Sequence, residues 1–138
     1  MKIFIDTNIL VSAVLSSNNT PQKAFELAVS PPNHGIISQQ VLDELISTFQ
    51  RKFPTQMHKL YYFLTTSLIT LEIISVPQKI ETTELSIRDT KDRPIYRAAV
   101  KAKADIILTG DKDLLESGIT SPQIMTAREF LNLNDYEN

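Results

Sequence analysis

Ile3-Phe4-Ile5-Asp6 and Ile106-Ile107-Leu108-Thr109-Gly110-Asp111 are two short apolar runs that each lead into an aspartate. Short, continuously apolar runs of this kind fit strands buried on both faces of a parallel sheet. In an open parallel α/β sheet, ligands bind in the crevice outside the carboxyl ends of the strands. Two carboxylates delivered there by neighbouring strands face one solvent pocket. Glu44, early in a helical stretch, and Asp92, just before Pro94, stand where they can join them. A group of acids with no cysteine and little histidine around it has one common chemical use. It holds divalent cations that cut phosphodiester bonds.

Outward from these runs, the spacing predicts strands alternating with helices. Lys2–Ile5 is the first strand, and Thr7 to Ser16 a helix apolar nearly all round. Thr20-Pro21 fits a helix start with threonine as cap and Ala24, Phe25 and Ala28 turned inward. Gly35-Ile36-Ile37 is a short strand. Ser38 then caps a helix carrying Val41, Leu42, Leu45, Ile46 and Phe49 on one side, and Pro54 stops it. A further helix runs from Thr55 to about Leu68, with Met57, Leu60, Tyr61 and Leu64 at helical spacing. Leu71 to Val76 is the next strand, ended by Pro77, and Gln78 to Lys91 is irregular. The Ile95, Ala98, Ala99, Ala102 stripe defines a helix from Asp92 to about Ala104. The strand Ile106–Thr109, a turn at Gly110–Lys112 and a short helix through Leu115 follow. Gln123–Met125 is a last strand, and Thr126-Ala127-Arg128-Glu129 is the capping box of a closing helix that buries Phe130 and Leu131. Such alternation argues for an α/β class with a parallel sheet covered on both faces. No internal repeat or linker divides residues 1–138, which are expected to form a single domain.

Composition narrows the function. Hydrophobic content of 42% and charged content of 22% lie near globular averages, which excludes disordered and fibrous classes. The longest apolar run, Ile9 to Leu15, is interrupted by Ser12 and too short to span a bilayer, so no membrane partner is expected. Met1-Lys2-Ile3-Phe4 runs straight into Asp6 without a signal-peptide core. With no cysteine there is neither a disulfide framework nor a thiolate metal site, and a cytoplasmic location is the expectation. A net charge of −2 is the wrong sign for gripping nucleic acid with a general basic surface. Nucleic-acid contact is expected to be local or mediated by cations.

Each acid taken singly has an ordinary structural use. Asp6 can be an Asx turn or N-cap, Asp92 a cap before Pro94, Asp113 a cap for the short helix beside Asp111, and Glu44 simply solvated. The combination points elsewhere. At about 100° per residue the apolar stripe of the Ser38 helix centres between Leu42 and Leu45, which turns Asp43 outward and leaves Glu44 on the flank beside Val41. A flank residue can line a cleft between the helix and the strand ends. Magnesium and manganese take oxygen ligands, and carboxylates gathered closely repel one another without them. His34 and His58 lie in unrelated segments with no partner at metal-ligand spacing.

At this point the residues resemble the PIN-domain nucleases. The resemblance rests on Ile3-Phe4-Ile5-Asp6-Thr7-Asn8-Ile9-Leu10, on Val41-Leu42-x-Glu44-Leu45 after Ser38, and on Arg88-Asp89-x-Lys91-Asp92-x-x-Ile95-x-x-Ala98-Ala99. It continues through Ala104-Asp105-x-Ile107-Leu108-Thr109-Gly110-Asp111-Lys112-Asp113-Leu114 and ends at Thr126-x-x-Glu129-Phe130-Leu131, in the family's order along the whole chain. It implies a three-layer domain with a five-stranded parallel sheet flanked by helices. It also implies Mg2+- or Mn2+-dependent ribonuclease activity, homodimerisation and, in the subgroup most similar, a toxin role beside an antitoxin protein. By position Asp6, Glu44, Asp92 and Asp111 match the family's acidic quartet. Asp89 and Asp113 are candidate further acids, Thr109 a hydroxyl near the metal and Asn8 a positioning residue. Tyr96 stands where many relatives carry a smaller or aliphatic residue, which bears on the width of the site.

Arg93, Arg97 and Lys101 recur every four residues from Asp92 onward, a stripe that reads either as a solvated face or as a track for RNA phosphates. Lys91 precedes them and Lys112 lies beside Asp111; Arg51, Lys52 and Lys59 form a weaker patch. Tyr61, Tyr62 and Phe63 read as subunit-contact or core residues before base-stacking ones. Two rival functions remain open: a catalytically silent interaction module on the same fold, and a phosphotransfer domain of receiver or phosphatase type. The second meets two obstacles, since Asp6-Thr7-Asn8 lacks the second aspartate of an Asp-x-Asp run and the strand ending at Val76 leads into proline rather than a phosphoacceptor.

Overall fold

In the computed structural model, which describes residues 1–135, the strands are β1 (Lys2–Ile5), β2 (His34–Ser38), β3 (Leu71–Ile74), β4 (Ile106–Leu108) and β5 (Gln123–Met125). The helices are α1 (Thr7–Leu15), α2 (Thr20–Val29), α3 (Gln39–Lys52), α4 (Met57–Ser67), α5 (Arg93–Lys101), α6 (Lys112–Leu115) and α7 (Ala127–Asp135). The five strands form one sheet in the order β3-β2-β1-β4-β5, and every pairing is parallel. Helices flank it, as expected of a chain in which almost every strand is followed by a crossover helix.

The central strands are buried along nearly their whole length because neighbours cover both faces. Ile3, Phe4, Ile5, Ile36, Ile37, Ile106, Ile107 and Leu108 exclude water almost entirely. The edge strands β3 and β5 are more exposed. α2 packs tightly on the sheet at Gly35, where a Cβ would lie 2.7 Å from Val29 Cγ1. The core is completed by Leu45 and Phe49 of α3, Ala98 and Ala99 of α5, and Phe130 of α7.

Several elements differ in detail from expectation. Asn19, not Thr20, caps α2: its side chain accepts from the Gln22 amide and Thr20 is the first helical residue. β3 stops at Ile74, two residues before Val76. On α4 the inward face is Leu60 and Phe63, with Phe63 against Phe25 at 5.2 Å between ring centroids, while Tyr61 is exposed. Ser38 caps α3 through the Val41 amide, and Thr126 and Glu129 form the expected reciprocal box at α7.

The strand order fixes where a site can form. The chain lays β2 and β3 on one side of β1, then returns to lay β4 and β5 on the other. The order therefore reverses between β1 and β4, and the crevice at their carboxyl ends is the topological switch point. Ile5 pairs with Leu108, so the next residues, Asp6 and Thr109, emerge side by side.

Candidate metal centre

Asp6, Glu44, Asp92 and Asp111 line one crevice of about 440 Å3 at this switch point, together with Asn8 and Asp89. Asp6 leaves β1 and is buried. Its Oδ1 accepts from the Thr7 amide at 2.7 Å, so the capping use is real. Its Oδ2 serves the site instead, accepting from Thr109 Oγ1 at 2.7 Å and from Asn8 Nδ2 at 3.3 Å. Asn8 Oδ1 accepts from the Gly110 amide at 3.0 Å, tying the end of β1 to the turn after β4. Thr109 is fully buried and also accepts from the Asp111 amide, so it acts through the two acids rather than facing the crevice. Asp111 in turn caps α6 by accepting from the Asp113 amide. Glu44 reaches across from α3, where its Oε2 accepts from Thr7 Oγ1 at 3.1 Å; Asp43 is surface, held by Gln39.

Asp92 is the exception to the capping explanation. It occupies the N-cap position of α5, but its backbone is already helical and its side chain makes no cap bond. Asp89 caps the preceding 3-10 turn instead, accepting from the Lys91 amide. Asp92 Oδ2 is buried with no hydrogen-bond partner, while its carboxyl lies within bonding reach of Asp111. Two carboxylates can share that approach only if one carries a proton or a cation lies between them. Burial, followed by the Asp111 carboxyl and the charges of Asp6 and Asp89, pushes Asp92 up to about 8. Burial likewise lifts Asp6 to about 6, against the hydrogen bonds from Thr109 and Thr7, with Glu44 and Asp111 adding to the rise.

A buried acceptor without a donor, in a ring of oxygen ligands and no nitrogen or sulfur, fits a hard divalent cation such as magnesium or manganese. Asp89, Asp92 and Asp113 also bring carboxylate oxygens within 4.8 Å of one another, so Asp92 belongs to both groups. Asp113 has a competing partner: its Oδ1 accepts from Arg88 Nε at 2.9 Å and Nη2 at 2.6 Å. Tyr96 is buried outside the crevice, and Ile95 lines it, so the bulk of Tyr96 does not narrow the opening.

The basic stripe lies apart from the crevice lining. Arg93, Arg97 and Lys101 do share a face of α5, yet none lines the crevice. Arg97 donates from Nε and Nη2 to the two oxygens of Glu84, both at 2.9 Å, and from Nη1 to the Pro77 carbonyl. Arg93 donates to the Ile87 carbonyl and Lys101 to Ser75 Oγ. Glu84 is 1% exposed, and the Arg97 hydrogen bond holds its carboxyl below the usual range despite burial. The stripe thus clamps the segment between β3 and α5. Arg97→Met strips both guanidinium bonds from a buried carboxylate, leaving it the Glu81 amide, and is expected to cost about 2–3 kcal/mol of stability. Lys101→Ala, at an exposed bond, is expected to stay within about 0.5 kcal/mol. Urea unfolding of the two variants measures both, and equal stabilities would remove the clamp.

Two crevice residues, Gln40 and Thr48, leave no mark in the sequence reading, and a third, Lys52, is grouped there only with Arg51 and Lys59. Gln40, Thr48 and Lys52 line the crevice with Glu44, at four-residue steps along α3. Once Glu44 is assigned, that spacing alone would have found them. Lys112 is exposed beside Asp111, outside the crevice lining. His34 pairs with Glu72 at 3.0 Å, away from the acids.

The chain matches the PIN domain family over residues 2–113. It is 30% identical over 120 residues to an uncharacterized protein of Methanocaldococcus jannaschii, covering 83% of this chain and 74% of that protein. Its structure is similar to a chain of the VapBC2 complex of Rickettsia felis, crystallised with a DNA fragment from the promoter. That likeness has a TM-score of 0.66 at 24% identity and covers 91% of this chain and 98% of that one, which speaks for a shared fold. This chain belongs to the PIN domain family, whose members are generally nucleases.

Proposed function

We propose that this protein is a divalent-metal-dependent endoribonuclease acting on single-stranded RNA, and the toxin of a toxin–antitoxin pair. The observation that carries the reading is Asp92: a buried carboxyl oxygen without a donor, facing Asp111 and Asp6 at the switch point of the sheet. Asp6, Asp92 and Asp111 would hold Mg2+ or Mn2+, with Glu44 facing them from α3. When bound, the ions stabilise charge developing on the phosphate and make water a stronger nucleophile at neutral pH. The side chains do the rest. Thr109 and Asn8 fix the Asp6 carboxylate, and the α6 cap fixes Asp111, so the negative charges are in place before substrate arrives. Lys112 is proposed to approach substrate phosphate from the rim.

The antitoxin partner is supported by the likeness to a chain of the VapBC2 complex. Homodimerisation through α4 is part of the same reading, supported by the exposure of Tyr61 and Tyr62, 59% and 71%. No described helix is long and apolar enough to cross a membrane, and the cytoplasm is the proposed site of action.

The test is incubation of purified protein with a mixed RNA pool, with manganese, with magnesium and with chelator. Internal cleavage that requires the metal supports the proposal. An RNA pool left intact under all three conditions contradicts it.

A further inference from the structure

The acidic crevice does not end at the acids. Its lining continues along α3 through Thr48 to Lys52 and turns the corner at Phe53. Lys52 lies eight residues beyond Glu44, about 12 Å along the helix axis. Lys91 lines the same crevice beside Asp92. Neither ammonium group makes an ion pair among the described residues, in contrast to Arg97, whose guanidinium is held by Glu84. Phe53 is half-buried, with its ring 5.5 Å from that of Phe49 at 53°, so it is backed by the core while lining the crevice. A free cation and a braced aromatic ring, on consecutive residues and downstream of a row of carboxylates, match the two needs of a single nucleic-acid strand: charge for the backbone and a flat face for a base.

Resting on the nuclease reading above, we propose that Lys52 and Phe53 form a subsite for single-stranded RNA flanking the cleaved bond, with Lys52 at a backbone phosphate and Phe53 under a base. The substrate then runs along α3, from Glu44 toward the C-terminal end of the helix, and not along α5. The cation at the far end also resolves how an acidic protein holds RNA: the strand meets one cation beyond the repulsive cluster and metal within it.

Binding of a labelled single-stranded RNA, measured by fluorescence anisotropy in calcium to suppress turnover, separates the possibilities. Lys52→Ala is expected to weaken binding and to shallow the slope of log affinity against log salt by about 0.7, the signature of one lost phosphate contact on a single strand. Phe53→Leu is expected to weaken binding about tenfold, as for loss of one base stack, without altering that slope. Lys101→Ala, on the rival stripe, is expected to change neither. In cleavage assays Lys52→Ala should raise KM while kcat at saturation holds. The manganese-induced rise in Tm should persist in both crevice variants, which separates a lost subsite from a damaged fold or metal centre. If the parent binds and cleaves RNA but Lys52→Ala keeps its affinity and salt slope, the subsite is wrong and the nuclease reading stands. If Lys101→Ala moves the slope and Lys52→Ala does not, the strand follows α5. A parent that binds no RNA overturns both.

Discussion

Asp6→Asn and Asp111→Asn are each expected to lower metal-dependent RNA cleavage by at least about two to three orders of magnitude, with the fold retained. The amide has nearly the shape of the carboxylate and keeps one oxygen acceptor. In Asp6→Asn that oxygen can still accept from the Thr7 amide, and in Asp111→Asn from the Asp113 amide, so the caps of α1 and α6 survive. What is lost is the negative charge that holds a cation against the reacting phosphate. Removing it also relieves repulsion in the metal-free protein, so neither variant should melt below the parent by more than a few degrees. Asp43→Asn is the matched control: same helix as Glu44, one residue away, bonded to Gln39 on the outer surface. Parent-like cleavage by either site variant would remove that residue from the centre.

The second large effect is on pH dependence. Asp92 titrates near 8 in the folded protein against an ordinary 3.8. Between those values the metal-free folded state keeps a proton that the unfolded chain has released, so this group's contribution is full below about pH 4 and is lost as pH rises toward about 8. Asp6, near 6, adds a smaller loss of the same sign over a narrower window. Asp92→Asn removes the larger part. The metal-free variant should therefore gain on the parent steadily as pH rises, and match it most closely near pH 4. Manganese reverses the order, because it needs the deprotonated carboxylate. Its stabilisation of the parent should grow between about pH 6 and pH 8, and should be much smaller in Asp92→Asn. Thermal melts across pH, with and without manganese, read both. Parallel stability curves for the two proteins, or equal manganese shifts, would place Asp92 outside the centre.

The two outer members of the quartet were legible because strand-end logic is nearly one-dimensional. An apolar run followed by an acid says where the acid goes once the sheet is parallel, and β1 and β4 prove adjacent. Glu44 followed from helical phase, which separates it from Asp43. Asp92 was located without its conformation. A short 3-10 turn capped by Asp89 removes the capping duty that Pro94 suggests for Asp92, and one-residue backbone states of that kind leave no periodic trace. The partners of the basic stripe were hidden for a related reason. Spacing shows that Arg93, Arg97 and Lys101 share a face of α5, but not what covers that face. The cover is the stretch 77–86, whose Glu84 is buried under Arg97. Lys52 failed in the opposite direction: grouped with Arg51 and Lys59 by proximity in sequence, it belongs by helical phase with Glu44. Lys59 instead donates to the Leu15 carbonyl.

The most direct test of metal-centred hydrolysis is the chemistry of the ends it leaves. A defined single-stranded RNA, cut by the purified protein in manganese, is expected to yield 5′-phosphate and 3′-hydroxyl termini, because water attacks and the 3′ oxygen departs. Chelator should stop the reaction, and Asp111→Asn should not support it. Cleavage that persists in chelator, or that leaves 2′,3′-cyclic phosphate ends, would mean the chemistry runs through the RNA's own 2′-hydroxyl and not through the acids at the ends of β1 and β4.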